Sequence, residues 1–207
     1  MIYKTLFLNI RIKIHKEITM KKILILPALI FFVVLFSAPV KAEPAKSITI
    51  DNNTLLLNGS GYRSKFFIKV YRGSLYLPEK ILAESQSIGK EDVILKNGYP
   101  GAIKMKFVYS EVEAEKIKDA FREGIENNSP MLSDTDYVKK FINIFDFNVA
   151  EGDVITLFIK DKDSVTIFYN GNILDAVNGK DIGTAVYKIY LGEEPADGGL
   201  KKGMLGK

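Results

Sequence analysis

Phe66-Phe67-Ile68-Lys69-Val70-Tyr71-Arg72-Gly73-Ser74-Leu75-Tyr76-Leu77 sets the fold class. Phe66, Ile68 and Val70 share one parity and Phe67, Lys69 and Tyr71 the other, and aromatic and β-branched side chains dominate. That period of two reads as one long strand over residues 66–77, with a bulge expected at Gly73 and a stop at Pro78. Upstream, residues 47–50 and 54–57 flank the polar turn Asp51-Asn52-Asn53 and read as a hairpin. Downstream, residues 102–109 alternate again, with Ile103, Met105 and Phe107 set against Lys104, Lys106 and Val108.

The period then changes. Ser110-x-x-Glu113 has the form of a capping box, and Ala114, Ile117, Phe121 and Ile125 recur at helical spacing until Pro130. Ser133-x-x-Asp136 opens a second helix whose stripe is Val138, Phe141 and Phe145. Strands return over residues 154–159, 164–169 and 173–177, separated by Asp161-Lys162-Asp163 and Asn170-Gly171-Asn172. A last helix over residues 180–191 carries Ile182, Val186, Ile189 and Tyr190 on one side, with Gly192 as its expected C′ glycine. Strands, two helices, a strand meander and a helix do not alternate regularly. The order predicts an α+β fold, a large antiparallel sheet with one face covered by helices.

Residues 1–42 read as an N-terminal extension and a cleavable signal peptide, and residues 43–207 as one domain. Met20-Lys21-Lys22 is basic, 14 apolar residues follow over 23–36, and Val40-Lys41-Ala42 offers small side chains for cleavage before Glu43. That run is shorter than the ~18–20 residues of a comfortable membrane span; an uncleaved anchor is the other reading. Either way the expected location is periplasmic or extracellular, with membrane contact through the leader. Translation starts at Met1 or at Met20, the latter if residues 1–19 are an extension of the gene reading.

The leader also carries much of the charge. Seven of the 29 basic residues and one of the 25 acidic ones lie in residues 1–42, which leaves 22 basic against 24 acidic. A domain that is slightly acidic has no electrostatic warrant for nucleic acid. It also holds no Cys, no Trp and no His, His15 being in the leader. Cysteine nucleophiles, histidine triads and His/Cys metal sites are excluded, and no cofactor or metal is expected. Asp134/Asp136 and Asp161/Asp163 sit at helix starts and turns, and Gly59-x-Gly61 lacks the third glycine and βαβ setting of a dinucleotide loop.

Leu57-Asn58-Gly59-Ser60-Gly61-Tyr62-Arg63, the segments Phe67-Ile68-Lys69-Val70-Tyr71 and Gly73-Ser74-Leu75-Tyr76-Leu77, the helix residues Glu115 to Gly124, Asn178-Gly179-Lys180, and the ending Tyr190-Leu191-Gly192-Glu193-Glu194-Pro195 with Leu200 to Gly206 together resemble the bacterial exported chalcone isomerase-like family. The resemblance implies an open-faced β-sandwich with an apolar cleft between sheet and helices. It also implies a choice between isomerisation of a chalcone-like α,β-unsaturated carbonyl compound and binding of a fatty acid.

Arg63 matches the family arginine of Gly-x-Gly-x-Arg, which meets a phenolate in isomerases and a carboxylate in the fatty-acid binders. A guanidinium suits both, being always charged and forked; a structural ion pair is the plainer role for it. Tyr71 matches a position that is tyrosine in the fatty-acid binders and could donate a second hydrogen bond, or simply fill core. The isomerase tyrosine and asparagine are missing from Glu113-Ala114-Glu115-Lys116 and Asp119-Ala120-Phe121, with Tyr109 the one tyrosine nearby, and the Ser/Thr specificity position falls on Gly183 beside Thr184. The expectation is a non-catalytic binder of a small apolar anion, with Arg63 and Tyr71 as ligand-binding residues.

Overall fold

The structure is a computed structural model that describes residues 43–84 and 90–207; the leader readings lie outside the described residues. Residues 44–207 form one compact unit. Its centre is a seven-stranded antiparallel sheet in the order β1(Ser47–Ile50), β2(Asn53–Lys65), β3(Ile68–Leu77), β4(Gly101–Phe107), β7(Val154–Asp161), β8(Ser164–Tyr169), β9(Asn172–Asn178). Two short strands, β5(Glu111–Val112) and β6(Val149–Ala150), pair separately. Helices α1(Glu79–Glu84), α2(Lys90–Asn97), α3(Ala114–Asn128), α4(Asp136–Asn143), α5(Ile182–Leu191) and α6(Gly198–Met204) complete the described chain. The architecture is the α+β fold expected from the pattern, a large antiparallel sheet under helices, and the open-faced sandwich that the resemblance implied.

Strand alternation sorts the side chains by face. Tyr71, Leu75 and Leu77 of β3, Ile103, Met105 and Phe107 of β4, and Ile155, Leu157 and Ile159 of β7 enter the main core under the helices. Tyr76, Ala102 and Phe158, one residue out of phase, join Leu55 in a smaller cluster on the other face. Phe121, Phe141 and Phe145 from the α3–α4 region meet as an aromatic triad at 4.4–5.4 Å between centroids, the helical stripes being placed as their spacing predicts.

Four local expectations are corrected. The strand over residues 66–77 begins at Ile68, because Phe66 and Phe67 form the turn of the β2–β3 hairpin, with φ of 49° and 69°. A left-handed backbone costs an L-residue with a Cβ roughly 1–2 kcal/mol, and nothing in an alternating aromatic run announces it. The bulge lies not at Gly73 but at Val70, between the pairs Arg63↔Tyr71 and Ser64↔Lys69. Gly73 stays in register opposite Gly61 and Met105, and a Cβ there would stand 2.6 Å from Met204 Cε. Ser110 caps nothing: Glu111–Val112 pair as β5, and the first N–H of α3, on Ala114, is taken by Asn148 Oδ1 at 3.0 Å. Gly192 has an ordinary φ of −69°; a Cβ at that position would lie 2.2 Å from Asn128 Oδ1, so close approach rather than handedness favours glycine.

Helix α6 was not legible as a helix. Its sequence Gly-Gly-Leu-Lys-Lys-Gly-Met has poor intrinsic propensity. It holds because Asp197 caps it and because its backbone lies on the glycines of β2, with a Cβ on Gly59 standing 2.3 Å from Gly203 O.

Candidate functional site

Arg63 and Tyr71 are direct cross-strand partners in β2 and β3, so the antiparallel register brings together two residues eight apart in sequence. The bulge at Val70 then turns Val70 and Tyr71 into the same space. That space is a cavity of about 40 Å³ bounded by Arg63, Val70, Tyr71, Met105, Phe107 and Ile155 on the sheet side, by Val112, Lys116, Ala120 and Phe121 at α3, and by Ile189 and Tyr190 of α5. A water needs roughly 10–15 Å³, so the cavity holds about three waters or one small polar head. It opens into a groove of about 650 Å³ that shares Arg63, Val70, Val112, Lys116 and Ala120 with it and continues along Phe66, Ile68 and Tyr109. The groove falls in the usual range for small-molecule sites, roughly 300–1,000 Å³; the cavity alone does not.

Burial pushes the Tyr71 hydroxyl up to about 12, partly offset by the nearby Arg63 charge. Tyr190, also buried, is pushed well above the ordinary tyrosine range by desolvation. Both hydroxyls are therefore neutral donors at any physiological pH. The Tyr190 oxygen lies 3.2 Å from Met105 Sδ and also faces the Tyr71 hydroxyl. The Tyr190 hydroxyl donates to Met105 Sδ, a weak acceptor. Asp197 is the neighbouring carboxylate, but its oxygens accept from Leu200 N at 2.8 Å and Ser64 N at 3.0 Å. Among the described residues no hydrogen bond or ion pair holds the Arg63 guanidinium. The titratable groups lining the cavity are Arg63, Lys116 and the two tyrosines, so among the described residues no carboxylate base faces it. The arrangement can receive an anion: one forked cation, one tyrosine donor, a lysine at the mouth and apolar walls.

A family model described as chalcone isomerase-like matches residues 39–206. The chain belongs to the chalcone isomerase-like family. Among solved structures, the Arabidopsis thaliana fatty-acid binding protein superposes with a TM-score of 0.60, at 18% identity, covering 77% of this chain and 96% of that one. At that identity the likeness speaks to fold. Among curated proteins nothing matches.

This chalcone isomerase-like chain places the positions carried over from its family unevenly. Arg63 and Tyr71 meet at the cavity. Tyr109 lines the outer groove, 41% exposed, and its N–H donates to Val70 O at 3.2 Å. Gly183 lies against the backbone of Asp161 instead, and Thr184 Oγ1 is 2.9 Å from the Tyr99 hydroxyl, away from Arg63. Two contributors escaped the sequence reading. Tyr190 stood in the apolar stripe of the last helix, and Lys116 in the stretch that lacks the isomerase tyrosine and asparagine; only the docking of α5 and α3 over the sheet brings them to Arg63.

Proposed function

We propose that the protein binds a small apolar anion such as a fatty acid between sheet and helices, without catalysing its conversion. The observation that carries this reading is the Arg63 guanidinium, unpaired among the described residues, at the junction of cavity and groove. The carboxylate would sit against Arg63 and accept the Tyr71 proton, and the chain would run along the groove past Val70, Ile68 and Tyr109. A cavity of about 40 Å³ is too small for an acyl chain but suits a carboxylate head, which sets that orientation. The structural likeness to a fatty-acid binding protein supports the same ligand class.

Isomerisation of a chalcone is the competing activity in the family. It asks for groups that orient a deprotonated phenol and polarise a ketone. Here the α3 face toward the cavity supplies Lys116, Ala120 and Phe121 where those orienting groups would be needed. We also propose that the protein works outside the cytoplasm, on the strength of the leader pattern in residues 20–42; cell fractionation with the processed mass of the protein tests it.

The binding test is displacement of a fluorescent fatty acid from purified protein, with native mass spectrometry of any lipid retained. Charge-assisted hydrogen bonds contribute roughly 1.5–3 kcal/mol, so Arg63→Ala should weaken binding about 10- to 100-fold. Unchanged affinity in Arg63→Ala, together with no retained lipid, overturns the reading. Turnover of a chalcone that is lost in Arg63→Ala would replace it with the isomerase.

A further inference from the structure

The β2–β3 hairpin ends in two phenylalanines that none of the described residues covers. Phe66 is 84% exposed and Phe67 fully so, with Ile68 52% exposed beside them. The pairs Lys65↔Ile68 and Ser64↔Lys69 close a two-residue turn in which both phenylalanines are left-handed. Such turns ordinarily use Asn-Gly or Asp-Gly, because both central residues need positive φ. The same sheet does so elsewhere: Asp51-Asn52 and Asn170-Gly171 turn two of its other hairpins with the same left-handed geometry. At residues 66–67 alone the fold holds bulky aromatics where turn chemistry disfavours them, and displays them to solvent. Neither the core nor the turn gains from that choice, so the gain lies in what the tip touches.

The charges around the tip say what that is. Over residues 53–77 the hairpin carries Arg63, Lys65, Lys69 and Arg72 and no acidic residue, in a domain that is otherwise slightly acidic. Lys65 and Lys69 are exposed on opposite faces just behind the phenylalanines, Lys69 lying 4.3 Å from the Tyr62 ring centroid. An apolar tip backed by cations matches an anionic bilayer surface, where aromatic rings enter the headgroup–acyl boundary and the cations meet lipid phosphates. The carboxylates of the adjoining groove, Glu111, Glu113, Asp119 and Glu123, lie across it from the hairpin, on the β5 and α3 side. We infer that the Phe66-Phe67 hairpin tip docks the protein on an anionic lipid surface, with the groove mouth, lined by Phe66 and Ile68, held at the membrane. This contact is separate from the leader. It stands or falls independently of what Arg63 binds.

The chain contains no tryptophan, so Phe67→Trp installs a single fluorophore that reports on the tip and not on the leader. With vesicles of equal phosphatidylglycerol and phosphatidylcholine, its emission should shift to the blue and be quenched by brominated acyl chains; pure phosphatidylcholine should give a much smaller response. Lys65→Ala and Lys69→Ala, each made in that background, should weaken the response roughly fivefold at low salt. The decisive variant replaces Phe66-Phe67 by Asn-Gly and is followed by vesicle co-sedimentation of the leader-processed protein. It relieves the left-handed phenylalanines, so the protein should melt at a higher temperature while vesicle affinity drops about tenfold or more. Three results overturn the proposal: Phe67→Trp emission indifferent to anionic vesicles, equal vesicle affinity in the Asn-Gly variant, or a blue shift that follows protein concentration without lipid, which would assign the tip to self-association.

Discussion

Tyr71 meets two demands that pull in opposite directions. Its ring is core, 6% exposed and 5.5 Å from the Phe107 centroid, while its hydroxyl belongs to the polar end of a cavity. Burial resolves the conflict by keeping the hydroxyl protonated, so it serves as a donor beside the Arg63 charge. Tyr71→Phe removes that donor and keeps the ring. The fold should hold to within about 1 kcal/mol, and fatty-acid affinity should fall roughly 3- to 10-fold, the net worth of one hydrogen bond. Calorimetric titration checks it, and unchanged affinity would return Tyr71 to a purely structural role. Alternation placed Tyr71 on a strand, but no pattern in the sequence put Tyr190 next to it. That pairing depends on α5 packing over the sheet so that Tyr190 reaches Met105 and Tyr71.

At the scale of elements, the glycines of β2 find their reason in α6. The Gly59-x-Gly61 pair was legible as a motif, but its purpose was not, since the helix that presses on it is weak in propensity and far along the chain. A Cβ on Gly203 would stand 2.5 Å from Ser60 O and 2.7 Å from Gly61 Cα, backbone that cannot move aside cheaply. Gly203→Ala should therefore destabilise the fold by about 1–3 kcal/mol, even though alanine is the better helix former. Thermal unfolding measures it, with the melting temperature lowered by several degrees. An alanine that raised the melting temperature would mean that α6 docks more loosely than these distances require. Through Asp197, which caps α6 and holds Ser64 N, the same docking fixes the end of β2 beside Arg63.

For the molecule as a whole, buried tyrosines set a limit at high pH. Tyr71, Tyr187 and Tyr190 are all raised above the ordinary value by desolvation, Tyr71 to about 12. A group whose folded pKa is raised contributes stability that is complete below its unfolded pKa near 10 and is lost as pH climbs toward the folded value. Above pH 10 the unfolded chain binds fewer protons than the folded one, so stability falls with pH. Two units at Tyr71 correspond to about 3 kcal/mol lost between pH 10 and 12. Urea midpoints should therefore drop steeply over that window and less steeply in Tyr71→Phe; equal midpoints at pH 8 and pH 12 would contradict the burial.

Periodicity and turn residues were enough for the class of this protein: α+β, a helix-covered antiparallel sheet, and strands β7 to β9 placed to within two residues; Arg63 was singled out by the family resemblance instead. These are local properties, since each strand or amphipathic helix writes its own repeat into the chain. Packing alone supplied the rest. The arrival of Tyr190 and Lys116 and the seating of a glycine-rich helix arise from distant segments constraining one another, while the Val70 bulge and the Phe66-Phe67 turn follow from the β2–β3 register. A one-dimensional pattern carries no trace of a contact whose two sides lie a hundred residues apart.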